Sequence, residues 1–327
     1  MDDLRVCDDI SEAVGWTPLL RLQRCMQEFD CEAFAKLEFL NPVGSVKDRL
    51  ARFLVDQAMQ AGELNVGDTI VEASSGNTAM ALGMMATLRG LQCKIVVRKQ
   101  TSPEKLDCLR AIGVDLVLVD GDLPPDHPES YNRKAVELAE SSPGVWFPDQ
   151  HNNRLNNEAH YRTTGPEIWK QMGGKIDILV AGIGTGGTIS GVARYLKEQD
   201  PAIRVVAVDV VGSVFSEYFR SGKHGKPTGY MLEGLGDEEI IDCPEFELID
   251  DMVQVEDGVA FRACRELLRS EAVMAGGSSG AAYWGIREVA ASVKPGTRIV
   301  TVFPDSGTRY LKTLYNDDWM RKHGFLD

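Results

Sequence analysis

The sequence lacks any apolar run of about 18 residues, the length a membrane-spanning helix needs. Its acidic N-terminus, MDDLRVCDDISEAVGWTP, has no basic segment followed by an apolar one, so it does not read as a signal peptide. Basic residues are outnumbered, 35 Lys and Arg against 49 Asp and Glu, which leaves a net charge of −14. That balance argues against nucleic acid and anionic membranes as main partners. The seven cysteines (Cys7, Cys25, Cys31, Cys93, Cys108, Cys243, Cys264) form no C-x-x-C pair, and the five histidines show no H-x-x-x-H spacing. Scattered, unpaired thiols are those of a reducing compartment, so a cytoplasmic protein without a structural metal is expected.

What is present is an alternation of strand and helix across 327 residues, a length suited to about two domains. Strands are predicted at 34–40, 68–73, 94–98 and 115–120, with helices at 47–60, 77–90 and 102–113. The second half repeats the grammar, with strands at 177–182, 204–210 and 297–303 and helices at 188–200 and 258–271. Several strands are continuous apolar runs, as in parallel sheets covered on both faces. The fold class is therefore α/β, with two doubly wound layers. A stretch rich in Pro, Gly and Asn, SSPGVWFPDQHNN (141–153), marks a boundary between them.

Within NPVGSVKDR (41–49), Gly44 and Ser45 read as a turn and N-cap, so Lys47 falls in a first helical turn. The exposed N–H groups there disfavour a cation. An amine held neutral is a nucleophile and a base. The other reading is an ordinary solvated lysine.

Three small-residue turns each follow a strand and open a helix. EASSGNTA (72–79) offers the hydroxyls and amide of Ser74, Ser75, Asn77 and Thr78 beside free backbone N–H groups. It can hold a carboxylate or phosphate, or simply be a capped helix. AGIGTGGTISG (181–191) contains G-x-G-x-x-G at Gly182, Gly184 and Gly187, with Asp209 22 residues beyond Gly187. That is a formal dinucleotide fingerprint and supports an NAD-dependent oxidoreductase as a rival reading. A monophosphate suits the same turn, with Thr185 and Thr188 as added donors. AGGSSGAA (275–282) lets the backbone approach a ligand closely at Gly276, Gly277 and Gly280, and Ser278 or Ser279 could face it.

In their order along the chain, N-P-V-G-S-V-K-D-R, S-S-G-N-T, G-T-G-G-T and G-G-S-S-G resemble the cysteine synthase and cystathionine β-synthase family. VGWTPLLRL (14–22), DQ…HYRTTGPEI (149–168) and PDSGTRYL (304–311) extend the likeness over nearly the whole chain. The resemblance implies pyridoxal 5′-phosphate as cofactor and the fold-type-II (tryptophan-synthase-β-like) arrangement, with the cofactor in the cleft between two domains. It implies a smaller mobile domain, 43–147, carrying the substrate-carboxylate loop. The larger domain, 1–42 plus 148–327, would carry the phosphate loop. Lys47 would form the imine with the cofactor. Gly184, Thr185, Gly186, Gly187 and Thr188 would hold its phosphate, Asn77 its ring 3′-oxygen, and Ser278 would face its pyridine nitrogen. Ser74, Ser75, Gly76, Thr78 and Gln150 would take the substrate carboxylate. No metal is implied.

The activity implied is β-replacement on serine or an O-activated serine through an aminoacrylate, in a homodimer acting on small amino acids. VGSV (211–214), YMLEGLGDE (230–238) and LYNDDWMRKHGF (314–325) are similar to a cystathionine β-synthase catalytic core, which joins serine to homocysteine. Neither the haem-binding segment nor the regulatory tail of the animal enzymes is found in the sequence, so a haem-free, constitutively active core is expected. Cysteine synthase, with sulfide as nucleophile, is one alternative. Condensation of O-phosphoserine with an amino acid is another, and a catalytically dead homologue acting as a binding partner is a third. Departures from the pattern are Val43 for Gly, Ser74 for Thr, Ala79 for Gly, and the acidic DEEIID after Gly236. Arg220 or Lys223 could recognise a second substrate's carboxylate or phosphate, or belong to a solvated loop.

Overall fold

The computed structural model describes residues 6–121, 123, 127 and 129–327, and the first five residues of the acidic N-terminal stretch lie outside them. The chain begins with β1 (Leu19–Leu22), β2 (Cys31–Leu37), α1 (Lys47–Ala61), β3 (Thr69–Ala73) and α2 (Asn77–Arg89). It continues through β4 (Gln92–Arg98), α3 (Pro103–Ala111), β5 (Asp115–Val119), α4 (Tyr131–Glu140) and β6 (Val145–Trp146). The second half runs α5 (Leu155–Arg162), α6 (Thr164–Gln171), β7 (Ile178–Gly182), α7 (Gly187–Gln199), β8 (Arg204–Val210) and α8 (Phe215–Ser221). It closes with β9 (Asp251–Val255), α9 (Asp257–Glu271), α10 (Gly277–Ala290), β10 (Thr297–Phe303) and α11 (Asp317–Lys322). The strand expected over 34–40 begins earlier, at Cys31, and gives way to a 3-10 turn at Glu38–Leu40.

The chain divides into two compact units. One is the described part of Met1–Gly15 with Asn41–Leu155; the other is Trp16–Leu40 with Asn156–Asp327. The dividing lines fall at 15/16, 40/41 and 155/156, where 42/43 and 147/148 were expected from sequence; the 15/16 line, which gives residues 6–15 to the first unit, was not expected.

In the first unit four parallel strands lie in the order β5-β4-β3-β6. Alternate side chains of a strand point to opposite faces. Ile70, Cys93, Ile95 and Val97 accordingly join Leu82 and Met85 of α2, Val55 of α1 and Leu109 of α3 in one core. Val71, Ala73, Val96 and Val119 pack on the other face against Ala135 of α4. The second unit has six strands in the order β1-β2-β10-β7-β8-β9, parallel except for β1. Ile178 and Val180 of β7 and Val206 and Val208 of β8 face α9 and α10. Leu179, Ala181, Val205 and Ala207 face Ile189, Val192 and Leu196 of α7. Both sheets are therefore covered on both faces, which is why their strands read as unbroken apolar runs.

Each sheet also has a point where the chain order reverses. In the first unit it lies between β3 and β6, and in the second between β7 and β10. Loops leaving the carboxyl ends of strands diverge there and open a crevice, the usual place for a ligand in such sheets.

Candidate active site

In the first unit, Lys47 is the first residue of α1, as the turn chemistry predicts. The helix's N-cap is Val46 rather than Ser45, but the Ser45 hydroxyl still accepts the Lys47 backbone N–H at 3.2 Å. The buried Asp48 carboxylate follows in the same turn and accepts the Val43 N–H at 2.7 Å. Its negative charge opposes the positive end of the helix dipole. Lys47 itself is half-buried.

The S-S-G-N-T turn leaves β3 at the order reversal and opens α2, with Gly76 as N-cap and Asn77 as first helical residue. The buried Ser74 donates its N–H to the Val96 carbonyl, and its Oγ accepts from Gly76 N–H at 3.4 Å. Gln150, which follows β6 across the crevice, accepts the Thr78 hydroxyl at 2.6 Å. Ser74, Gly76, Thr78 and Gln150 are thus gathered around one helix N-terminus.

Sequence reasoning passed over Glu72. It lies on β3 immediately before the turn, only 2% exposed. Its two carboxyl oxygens accept the backbone N–H groups of Ala73 at 2.9 Å and Gln150 at 3.3 Å. Burial pushes its pKa up to about 8, against the pull of those two donors. Tyr131 of α4 is half-buried beside it, takes a hydrogen bond from the Ser75 backbone, and lies under the Arg98 guanidinium, 5.1 Å from its ring centre. A glutamate inside the apolar run TIVEA was the available signal, since a charge there is rare without a partner.

In the second unit, G-T-G-G-T joins β7 to α7, with Gly186 as N-cap at φ +83°. The glycines are required by the wall behind them. A Cβ on Gly184 would strike the Gly234 carbonyl, and one on Gly187 the Asn156 amide. On Gly186 it would lie 2.6 Å from the Pro244 nitrogen. The two threonines are held from below. Asn156 donates to the Thr185 hydroxyl at 3.1 Å. The fully buried His160 shares a hydrogen bond with Thr188 at 3.1 Å through Nε2, and one with Thr164 at 2.8 Å through Nδ1. Neither Asn156 nor His160 was singled out as a site residue, although both lie just before or within the HYRTTGPEI stretch.

Ser278, at the start of α10, is buried, and its Cβ stands 4.0 Å from where a Cβ on Gly234 would be. Since Gly234 backs the Gly184 turn, Ser278 belongs to the same neighbourhood. Ser279 is fully buried, and its hydroxyl has no partner among the described residues.

Asp209 does not serve the dinucleotide reading. It is fully buried, and its oxygens accept the backbone N–H groups of Val210 at 2.9 Å and Ser216 at 3.0 Å. Burial raises its pKa above the usual carboxylate range, against those bonds. It ties β8 to α8 and presents no oxygen to a ribose.

The family profile described as pyridoxal-phosphate dependent enzyme matches residues 10–305. The chain belongs to the pyridoxal-phosphate dependent enzyme family. It is 39% identical over 327 residues to cystathionine beta-synthase of Apis mellifera, covering 99% of this chain but 64% of that protein. The chain therefore spans less than two thirds of the length of that relative. It is also 39% identical to N-(2-amino-2-carboxyethyl)-L-glutamate synthase of Cupriavidus metallidurans, covering 97% of this chain and 92% of that one. Among solved structures, an O-acetylserine dependent cystathionine beta-synthase from Helicobacter pylori superposes with a TM-score of 0.86 at 34% identity. That match covers 95% of this chain and 99% of the other. The α/β architecture is thus that of fold type II.

The residues present fit the family's cofactor. A neutral turn of glycines and threonine hydroxyls, at the positive end of a 13-residue helix, suits a phosphate monoester. The half-buried amine at the start of α1 suits an aldehyde. Among the described residues no group of His, Cys, Asp and Glu is placed to hold a metal ion, and no helix is long and apolar enough to cross a membrane.

Proposed function

We propose that this chain catalyses β-replacement on serine or an O-activated serine, with homocysteine as nucleophile and cystathionine as product. The reading is carried by one observation. The turn at 184–188 has no room for side chains at its glycines, and both of its threonine hydroxyls are braced by buried partners. The relatives' names supply the reaction class.

Lys47 would hold the cofactor covalently, and Gly184, Thr185, Gly186, Gly187 and Thr188 would bind its phosphate. Asn77 would meet the ring 3′-oxygen and Ser278 the pyridine nitrogen. When bound, pyridoxal phosphate supplies an electron sink for negative charge at the amino acid's α-carbon. Once the substrate's own amino group has taken its place, the freed Lys47 amine would take the α-proton and later return it at the same carbon. Ser74, Ser75 and Gly76 hold the substrate carboxylate at the positive end of α2, and the Thr78–Gln150 hydrogen bond fixes that loop across the crevice. A neutral Ser278 hydroxyl opposite the ring nitrogen favours elimination and addition at the β-carbon over transamination. A cytoplasmic homodimer, with the first unit as its mobile, substrate-carboxylate part, belongs to the same proposal.

A second reading, an amino-acid nucleophile, is favoured by the 39% identity over 327 residues to the Cupriavidus protein, whose name specifies a glutamate-linked product. Both are tested on purified protein. Borohydride reduction and peptide mass spectrometry are expected to find a pyridoxyl group on Lys47 and none in Lys47→Ala. Serine, O-acetylserine and O-phosphoserine are then paired with homocysteine, sulfide and glutamate. Cystathionine supports the first reading, and a carbon–nitrogen-linked product with glutamate supports the second. No β-replaced product from any pairing overturns both.

A further inference from the structure

The second unit contains an open concavity of about 450 Å³, lined by none of the residues given a role in the proposed reaction. It lies beyond the carboxyl end of β8, lined by Gly212 and Ser213, by α8 and by the strand of chain that follows α8. Its charge runs against the rest of the molecule. Acids exceed bases by 14 over the whole chain, yet this wall carries Arg220, Lys223 and Lys226 against the single carboxylate of Glu217.

Arg220 is steadied from below, with Nη1 on the Gln254 side-chain oxygen at 3.5 Å and Nη2 on the Met252 carbonyl at 3.4 Å. Lys223 and Lys226 are exposed, with no acid at ion-pair distance among the described residues. The Glu217 carboxylate lies against the Gly225 backbone and leaves a net positive concavity. Cations gathered around a concave surface raise the local concentration of anions. The volume is that of a small-molecule site. Thr228 adds a hydroxyl to the lining.

We propose that this cavity binds a small dianion, a phosphate or a dicarboxylate, at a site separate from the 184–188 turn. Its occupancy would be felt at that turn. The Thr228 N–H bonds the Gly212 carbonyl at 2.9 Å beside the cavity, and eight residues on the Gly236 N–H bonds the Ile183 carbonyl at 2.8 Å. Between them Gly234 and Leu235 press on Gly184 and Gly182. A dianion that pins Lys223 and Lys226 therefore orders the segment whose far end backs the phosphate turn.

Calorimetric titration of the cofactor-loaded protein tests this, because the phosphate turn is then already filled. The arms are inorganic phosphate and succinate, with chloride as the monoanion control. One further site per chain is expected for phosphate or for a dicarboxylate, weakened at least about fivefold in Lys223→Ala/Lys226→Ala and by raised salt. Phosphate binding alone identifies a phosphate site, and succinate binding alone identifies a dicarboxylate site. The result is independent of β-replacement activity, since a chain inactive in every pairing above would still show it. Equal binding by the wild type and the double variant, or no binding beyond that of chloride, overturns the proposal. Arg220→Gln, which keeps a hydrogen-bonding side chain, guards against misfolding of the double variant and is expected to weaken the same titration.

Discussion

The buried Glu72 beneath the substrate turn makes a quantitative prediction about stability. In the unfolded chain its carboxyl ionises near its ordinary value of 4.5, and burial raises that to about 8 in the folded protein. Between those values the folded state holds one proton that the unfolded state has released. Each pH unit in that window therefore removes about 1.4 kcal/mol of stability from the wild type. The contribution is fully present below the unfolded pKa and is lost as pH rises through the folded one. Glu72→Gln abolishes this titration. It also places an amide NH₂ where one carboxyl oxygen now accepts a backbone N–H, either from Gln150 or from Ala73. A buried donor facing a donor costs about 1–3 kcal/mol at every pH. Urea unfolding at pH 6.0 should find the variant the less stable. By about pH 7.5 the gap should have closed by about 2 kcal/mol or reversed. Curves for the two proteins that run parallel over this range would refute the claim that Glu72 folds as a neutral acid.

The phosphate turn carries two further predictions. Gly186→Ala forces an L-residue to φ +83° and sets its Cβ 2.6 Å from the Pro244 nitrogen, so stability should fall by about 2–4 kcal/mol, read as a lower melting temperature with weaker cofactor binding. Thr188→Val removes one donor from the turn and leaves His160 Nε2 without its hydroxyl. Cofactor affinity, measured by equilibrium titration of the apoprotein, should drop about tenfold, a cost of about 1.4 kcal/mol. An unchanged affinity would mean that the hydroxyl does not face the phosphate.

Much of the fold was legible because parallel strands covered on both faces must be apolar throughout. RVVAVDV and TRIVTVF form β8 and β10 over the predicted residues, and Gly90 stops α2 in the left-handed conformation, φ +66°. Elements without that signal were passed over. β6 has two residues, and edge strand β9 is only partly buried. α4 owes its place to Ala135 and Tyr131 packing under β3 and β4, contacts that no local pattern announces.

The sequence by itself determined the strand–turn–helix grammar, the three small-residue turns, and the amine at the start of α1. These depend on backbone sterics and helix ends, which are local. Only the tertiary structure decided what each turn leans on. Gly184 needs its hydrogen because Gly234, fifty residues away, lies behind it, and Asp209, acceptable as a ribose ligand in one dimension, proves to be buried in the service of α8. Burial and partnership are properties of neighbours distant in the chain, and the same residue types carry opposite meanings until those neighbours are in place.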